Sequence, residues 1–199
     1  MTPLRTIDAV AVPLDESNVD TDQLAPGRFL MRSVSPELLL HDRRFDAQGK
    51  PHVGFVLNDP AYAGAQIIVA RRNFGIGSSR EAAALALPTA GFRCVIAMSF
   101  GDIFYGNCLR NGVLPIVLDE TTVGALLQAL RARPGMHLVV DLPSQTVAGE
   151  GLGPFAFAIS PARKQCLLEG LDDAALTDRY RDAIAAFEAN YYRAFPWLA

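Results

Sequence analysis

The amino-acid sequence predicts a mixed α/β fold with parallel strand pairing at its centre. Short apolar runs of strand length alternate with helix-length segments through the middle of the chain, and Gly or Pro breakers punctuate them. The 199 residues, 50% of them hydrophobic, are enough to bury one sizeable core, and nothing in the composition suggests a second domain. The expected organisation is therefore one globular unit over residues 1–199.

Taken in order, the first strand is read at residues 7–12, an apolar run beginning at Ile7. Residues 15–58 are the least regular stretch, and a long irregular stretch in a compact unit is usually a functional or mobile loop. Strands follow at 66–70, 94–97, 114–118 and 138–140, with two short strands flanking the turn at 149–154. Helices are expected at 79–90, 103–110, 121–131, 161–169 and 173–191. Gly91, Asn111-Gly112 and Pro134-Gly135 mark helix ends.

The most informative run is Arg71-Arg72-Asn73-Phe74-Gly75-Ile76-Gly77-Ser78-Ser79-Arg80-Glu81, which leads from a strand through two glycines into an alanine-rich helix. Glycines let the backbone turn tightly and approach a ligand, and Ser78 or Ser79 is suited to cap the helix. Free N–H groups and the helix dipole favour an anion there, and Arg80 adds a planar cationic fork for a carboxylate or phosphate. Gly75-x-Gly77 lacks the third glycine of a dinucleotide fingerprint, and the Gly-Lys-Ser/Thr ending of a phosphate loop is missing, so nucleotides are disfavoured. On spacing alone the segment reads equally as an ordinary strand-to-helix turn with a serine cap and a surface arginine.

The same run resembles the Asn-Phe/Tyr-Gly-x-Gly-Ser-Ser-Arg-Glu signature of the small swivelling domain shared by aconitases and isopropylmalate isomerases. Val12-Pro13-Leu14-Asp15 and Asn18-Val19-Asp20-Thr21-Asp22 are similar to that family's N-terminal loop, as is Pro26 followed by Phe29-Leu30. Ser99-Phe100, the stretch from Asp102 to Asn107, Gly112-Val113-Leu114-Pro115 and the tail from Gly170 continue the likeness in one order. Two positions depart from the bacterial pattern: Ile76 stands where a Cys is usual, and Ala82 where a His is usual.

The resemblance implies a swivelling β/β/α domain like the aconitase C-terminal domain, acting as the small subunit of a hydro-lyase. The implied reaction interconverts 2-isopropylmalate and 3-isopropylmalate by dehydration and rehydration, in leucine biosynthesis. Ser78 is carried over as the catalytic base and Ser79, Arg80, Met31, Asp22 and Thr21 as the substrate-binding set, with Arg80 and Ser79 on a substrate carboxylate, Met31 facing the alkyl substituent, and Thr21 and Asp22 shaping the loop by side-chain to backbone hydrogen bonds. An unbranched thioether at that position suits isopropyl better than a third carboxylate, whereas Arg28 and Arg32 nearby would suit the opposite. The alternatives are a paralogous subunit acting on another alkylated malate or maleate, such as citraconate or dimethylmaleate, and a non-catalytic dicarboxylate-binding module.

A 4Fe-4S iron–sulfur cluster serves this family as Lewis acid, and its ligation needs three or four convergent thiolates. Cys94, Cys108 and Cys166 are scattered and read as reduced, mostly buried thiols, so no metal site is expected in this chain. A cluster-bearing large subunit is implied as partner, with a small dicarboxylate as substrate. The net charge of −3 and the dispersed 18 Lys+Arg give no nucleic-acid footprint. No apolar run reaches the roughly 18 to 20 residues of a membrane helix, and residues 1–8 lack the apolar centre of a signal peptide, so a cytoplasmic location is expected. Arg43-Arg44 reads as a solvated pair, His41, His52 and His137 as non-ligands, and the aromatic tail of Tyr191, Tyr192, Phe195 and Trp197 as either a docking surface or a segment folded back on the body.

Overall fold

A computed structural model describes residues 1–29 and 34–198. Strand β1 (Thr6–Leu14) is the pivot of the architecture, pairing in parallel with β2 (Ile67–Ala70) on one side and antiparallel with β5 (His137–Asp141) on the other. The parallel half continues through β3 (Cys94–Ala97) and β4 (Leu114–Val117), and the antiparallel half through β6 (Thr146–Gly149) and β7 (Leu152–Ala156). The resulting sheet runs β4-β3-β2-β1-β5-β6-β7. A long first strand able to pair on both edges thus joins a crossover half to a meander half.

Strands β2 and β3 are fully buried, as expected of parallel strands covered on both faces. Because successive side chains point to opposite faces, each strand feeds two cores. Ile67, Val69, Cys94, Ile96, Leu114 and Ile116 pack against Val123, Leu126, Leu127 and Leu130 of helix α5 (Glu120–Ala132). Ile68, Ala70, Val95 and Ala97 pack on the other side against Ala83, Ala84, Ala86 and Leu87 of α3 (Glu81–Thr89) and Phe104 and Cys108 of α4 (Asp102–Arg110). Each fully buried Leu, Ile or Val contributes about 1.5–3 kcal/mol by leaving water. Helix α5 starts where Asp119 accepts from the Thr122 amide, and α6 (Pro161–Glu169) where Ser160 accepts from Arg163, with Pro at its first turn and Gly170 left-handed at its end.

Three expectations are corrected. The irregular stretch 15–58 contains short helices α1 (Thr21–Leu24) and α2 (His41–Arg44) and single 3-10 turns, anchored by the buried Leu24, Leu39 and Leu40. The expected helix 173–191 is two helices, α7 (Asp173–Asp178) and α8 (Arg181–Ala194). The break follows Thr177-Asp178, residues whose side chains compete for backbone hydrogen bonds; the Thr177 hydroxyl already bonds the Asp173 carbonyl. The tail is not folded back: every residue from 177 to 198 is exposed. Among the described residues no helix is long and apolar enough to cross a membrane.

Candidate active site

The loops leaving the carboxyl ends of β1, β2 and β3 converge, the place where open parallel sheets position ligands. The signature loop after β2 is zipped to both neighbours. On one side Gly75 N–H donates to the Val19 carbonyl (2.7 Å) and Thr21 N–H to the Ile76 carbonyl (2.9 Å). On the other, Phe74 N–H donates to Ser99 O and Gly101 N–H to Phe74 O, both at 3.0 Å. Asn73, in the left-handed region at φ 61°, completes the join: its amide N–H donates to Ser99 Oγ (2.8 Å) and its side chain to Asn18 Oδ1 (2.7 Å). At the loop's root the buried Asp15 carboxylate pairs with both Arg71 and Arg131, tying β1, β2 and α5 together.

Close approach explains the glycine at position 75. It has φ +73°, and a Cβ there would lie 2.2 Å from the Phe104 ring.

Ser78 is held from two directions. Its N–H donates to the hydroxyl of the buried Thr21 (3.0 Å), and its own Oγ accepts from Arg80 Nη2 (3.1 Å). The Arg80 fork also donates through Nη1 and Nη2 to the two Asp22 oxygens, each at 2.6 Å, a planar bidentate pair. Hydrogen bonding from Arg80 holds the exposed Asp22 carboxyl below its ordinary range, and Asp22 in turn raises Arg80. Ser78, Gly75, Gly77, Gly101, Asp102 and Ile103 line an open cleft of about 220 Å³, and Ile103 is 58% exposed at its rim.

The structure therefore brings together Ser78, Arg80, Thr21 and Asp22, with corrections of detail. Helix α3 begins at Glu81, not Ser79; Arg80 occupies the cap position with extended backbone, and no serine caps the helix. The reason is that Ser78 is drawn back to Thr21 and Arg80. Ser79 is exposed. Asp22 bonds chiefly to a side chain, that of Arg80, whereas Thr21 does bond backbone. Met31 lies outside the described residues. Ile76 is half-buried and lends its carbonyl to Thr21, and Ala82 packs on the core, so both departures sit at positions used here for backbone and packing. Sequence reading did not single out Asn18, Asn73 and Ser99 as a clamp; the only signal was their presence in the family-like blocks.

Arg28 is engaged in a paired contact with Asp42, which removes it as a free clamp for a further carboxylate. Arg43 is not merely solvated, since it pairs with Glu16 and lies over the Phe55 ring. His41 contacts the rings of Phe29 and Phe45 in tilted geometry, and His137 pairs with Asp8. The thiols do not fit a cluster. Cys94 and Cys108 are fully buried in the two separate cores, where desolvation pushes both pKa values up, and Cys166 is half-buried on α6. Among the described residues no group of three or more His, Cys, Asp or Glu is placed to hold a metal ion.

Comparison with known proteins agrees with this geometry. Residues 1–121 match the model of the aconitase C-terminal domain. A 3-isopropylmalate dehydratase small subunit of Brevibacillus brevis is 47% identical over 194 residues, covering 96% of this chain and 100% of the relative. The one from Jannaschia sp. is 46% identical and covers 100% of both, and that of Methylibium petroleiphilum is 44% identical over 211 residues, covering 100% of this chain and 98% of the relative. A crystal structure titled 3-isopropylmalate dehydratase (leuD), from Methanocaldococcus jannaschii, superposes with a TM-score of 0.66 at 24% identity over 92% of this chain and 99% of that one, a likeness of fold. With relatives 44–47% identical over nearly the whole of both chains, the chain belongs to the family of 3-isopropylmalate dehydratase small subunits built on the aconitase C-terminal domain.

Proposed function

We propose that residues 1–199 act as one unit, the small subunit of a hydro-lyase that interconverts 2-isopropylmalate and 3-isopropylmalate in the cytoplasm, with Ser78 as the base. The observation that carries this reading is the Arg80 guanidinium donating to Ser78 Oγ at 3.1 Å. A serine hydroxyl is a poor base unless its alkoxide is stabilised, and a fixed cation with a preorganised loop is the device that does so. In the forward direction Ser78 Oγ takes the proton from the carbon beside a carboxylate; that electron pair forms the double bond as hydroxide leaves the neighbouring carbon. Rehydration then adds hydroxyl to the carbon that lost its proton, while Ser78 Oγ returns the proton to the carbon that lost its hydroxyl.

Arg80 holds a substrate carboxylate through the fork that Asp22 now occupies, so binding displaces at least one of those two hydrogen bonds. The cleft of about 220 Å³ is smaller than the roughly 300 Å³ lower bound of small-molecule sites, which supports a pocket completed by another subunit. We assign the iron–sulfur cluster to that large subunit, because the three thiols of this chain lie apart, two of them buried in separate cores and the third half-buried on α6. The bare aromatic stripe of α8 is read as part of the surface that docks to it.

The test is anaerobic reconstitution with the large subunit and an absorbance assay for the unsaturated intermediate from isopropylmalate. Ser78→Ala is expected to lower kcat by at least about 10³ while leaving assembly intact. Turnover of citraconate or dimethylmaleate but not isopropylmalate would keep the base and overturn the substrate. Full activity in the variant would remove Ser78 from the chemistry.

A further inference from the structure

We propose that a second cavity, at the opposite end of β2 from Ser78, binds a small aliphatic carboxylate. Gln66 lines this cavity and Arg71 opens the signature loop, so the two sites lie at opposite ends of β2, with five residue steps, roughly 17 Å at strand rise, between Gln66 and Arg71. The cavity measures about 340 Å³, within the range of small-ligand sites. Its walls are polar and apolar in about equal measure: Val12, Leu57, Ala90 and Phe92 supply apolar side chains, Gln66 a polar one, and Arg44 is the cation among its lining residues.

Arg44 is the informative group. Its Nη1 donates to the Pro36 carbonyl (2.9 Å) and its Nε to Asn58 Oδ1 (3.3 Å), and the guanidinium lies 5.0 Å from the centre of the Phe45 ring. Those partners are neutral. Arg28 and Arg43, close to it in the fold, each pair with a carboxylate, but among the described residues Arg44 has no ion-pair partner, and Glu37 acts on it only at longer range. Burial pushes its pKa below the ordinary guanidinium value, the mark of a charge partly removed from water without a counter-ion. The side chain is nonetheless fixed, because Asn58 is itself held by the Arg44 and His52 carbonyls.

A fixed guanidinium without a carboxylate partner, at the wall of a cavity that also presents Val12, Leu57 and Phe92, calls for an anion with a short aliphatic tail. The carboxylate belongs at Arg44. The tail belongs toward Ala90 and Phe92, since the carboxyl end of α3 near Ala90 disfavours negative charge. Such a ligand would brace the segment 36–58 against the sheet, remote from the catalytic loop.

The probe is isovalerate, titrated into the full-length chain by NMR and by thermal melting. The expected dissociation constant is on the order of 1 mM for a ligand of this size, and tenfold saturation should raise Tm by about 3 °C. Binding should be lost in Arg44→Gln and, with the arginine intact, in Ala90→Leu, which fills the cavity; it should persist in Arg80→Gln. Isopentanol, which lacks the charge, should bind at least tenfold more weakly. No saturable binding, equal binding of the alcohol, or loss in Arg80→Gln with retention in Ala90→Leu would each overturn the proposal, the last by placing the ligand at the Ser78 site.

Discussion

Arg80 meets three oxygens at once, the two of Asp22 and the hydroxyl of Ser78, and only a planar fork can do so. Arg80→Lys keeps the charge but supplies a point cation, so kcat/KM of the reconstituted enzyme should fall roughly 10- to 100-fold, with the loss in kcat exceeding that in affinity. An unchanged kcat would mean that the fork serves only to place Asp22. The loop's glycine is equally specific. Gly75→Ala forces a Cβ to within 2.2 Å of Phe104 at a positive φ, and we expect a loss of about 3 kcal/mol or more in urea melts. The requirement for a glycine was legible in the sequence as a tight turn, but its cause was not: Phe104 lies 29 positions away, and contact across that separation exists only once α4 packs against α3 and β4.

At the level of elements, the 15–58 segment adds ion pairs to the backbone hydrogen bonds of its short helices and turns. The Arg28–Asp42 contact joins the turn at Gly27–Phe29 to α2, and hydrogen bonding from Arg28 lowers the Asp42 pKa from its ordinary 3.8 to about 2. Because the folded-state value is depressed, the stabilisation is present above about pH 4 and is lost as pH falls from about 4 to about 2. Both partners are half exposed, so solvent screening limits the effect to no more than about 1 kcal/mol. Acid titration of stability should be correspondingly shallower in Asp42→Asn across that interval, and an identical curve would show the pair to be energetically idle. Strands and most helices were readable from apolar runs and breakers, because local burial and chain direction dictate them. The break between α7 and α8 and the start of α3 were not, since each is decided by side-chain hydrogen bonds whose partners the linear order does not display.

On the scale of the whole molecule, the chain exposes at one extremity what its core has no place for. Phe187, Tyr191, Phe195 and Trp197 form a ring-to-ring series along α8 and the turn after it, and this helix makes its contacts chiefly with that turn. A chain lacking residues 180–199 should keep its Tm within about 2 °C but associate with the large subunit at least tenfold more weakly in sedimentation or light scattering. Undiminished association would sink the docking role of the helix. By itself the sequence determined the alternation of strands and helices, the strand-to-helix turn from Arg71 to Glu81 with its glycines, serines and Arg80, and the family likeness, because each is written in contiguous residues. Only the tertiary structure decided that Asp22 fills the Arg80 fork, that Thr21 holds the Ser78 amide, that Arg28 is neutralised while Arg44 is not, and that the two buried thiols face different cores. The first two depend on the parallel pairing of β1 with β2, which joins residues more than 50 positions apart, and the others on packing that the linear order does not display.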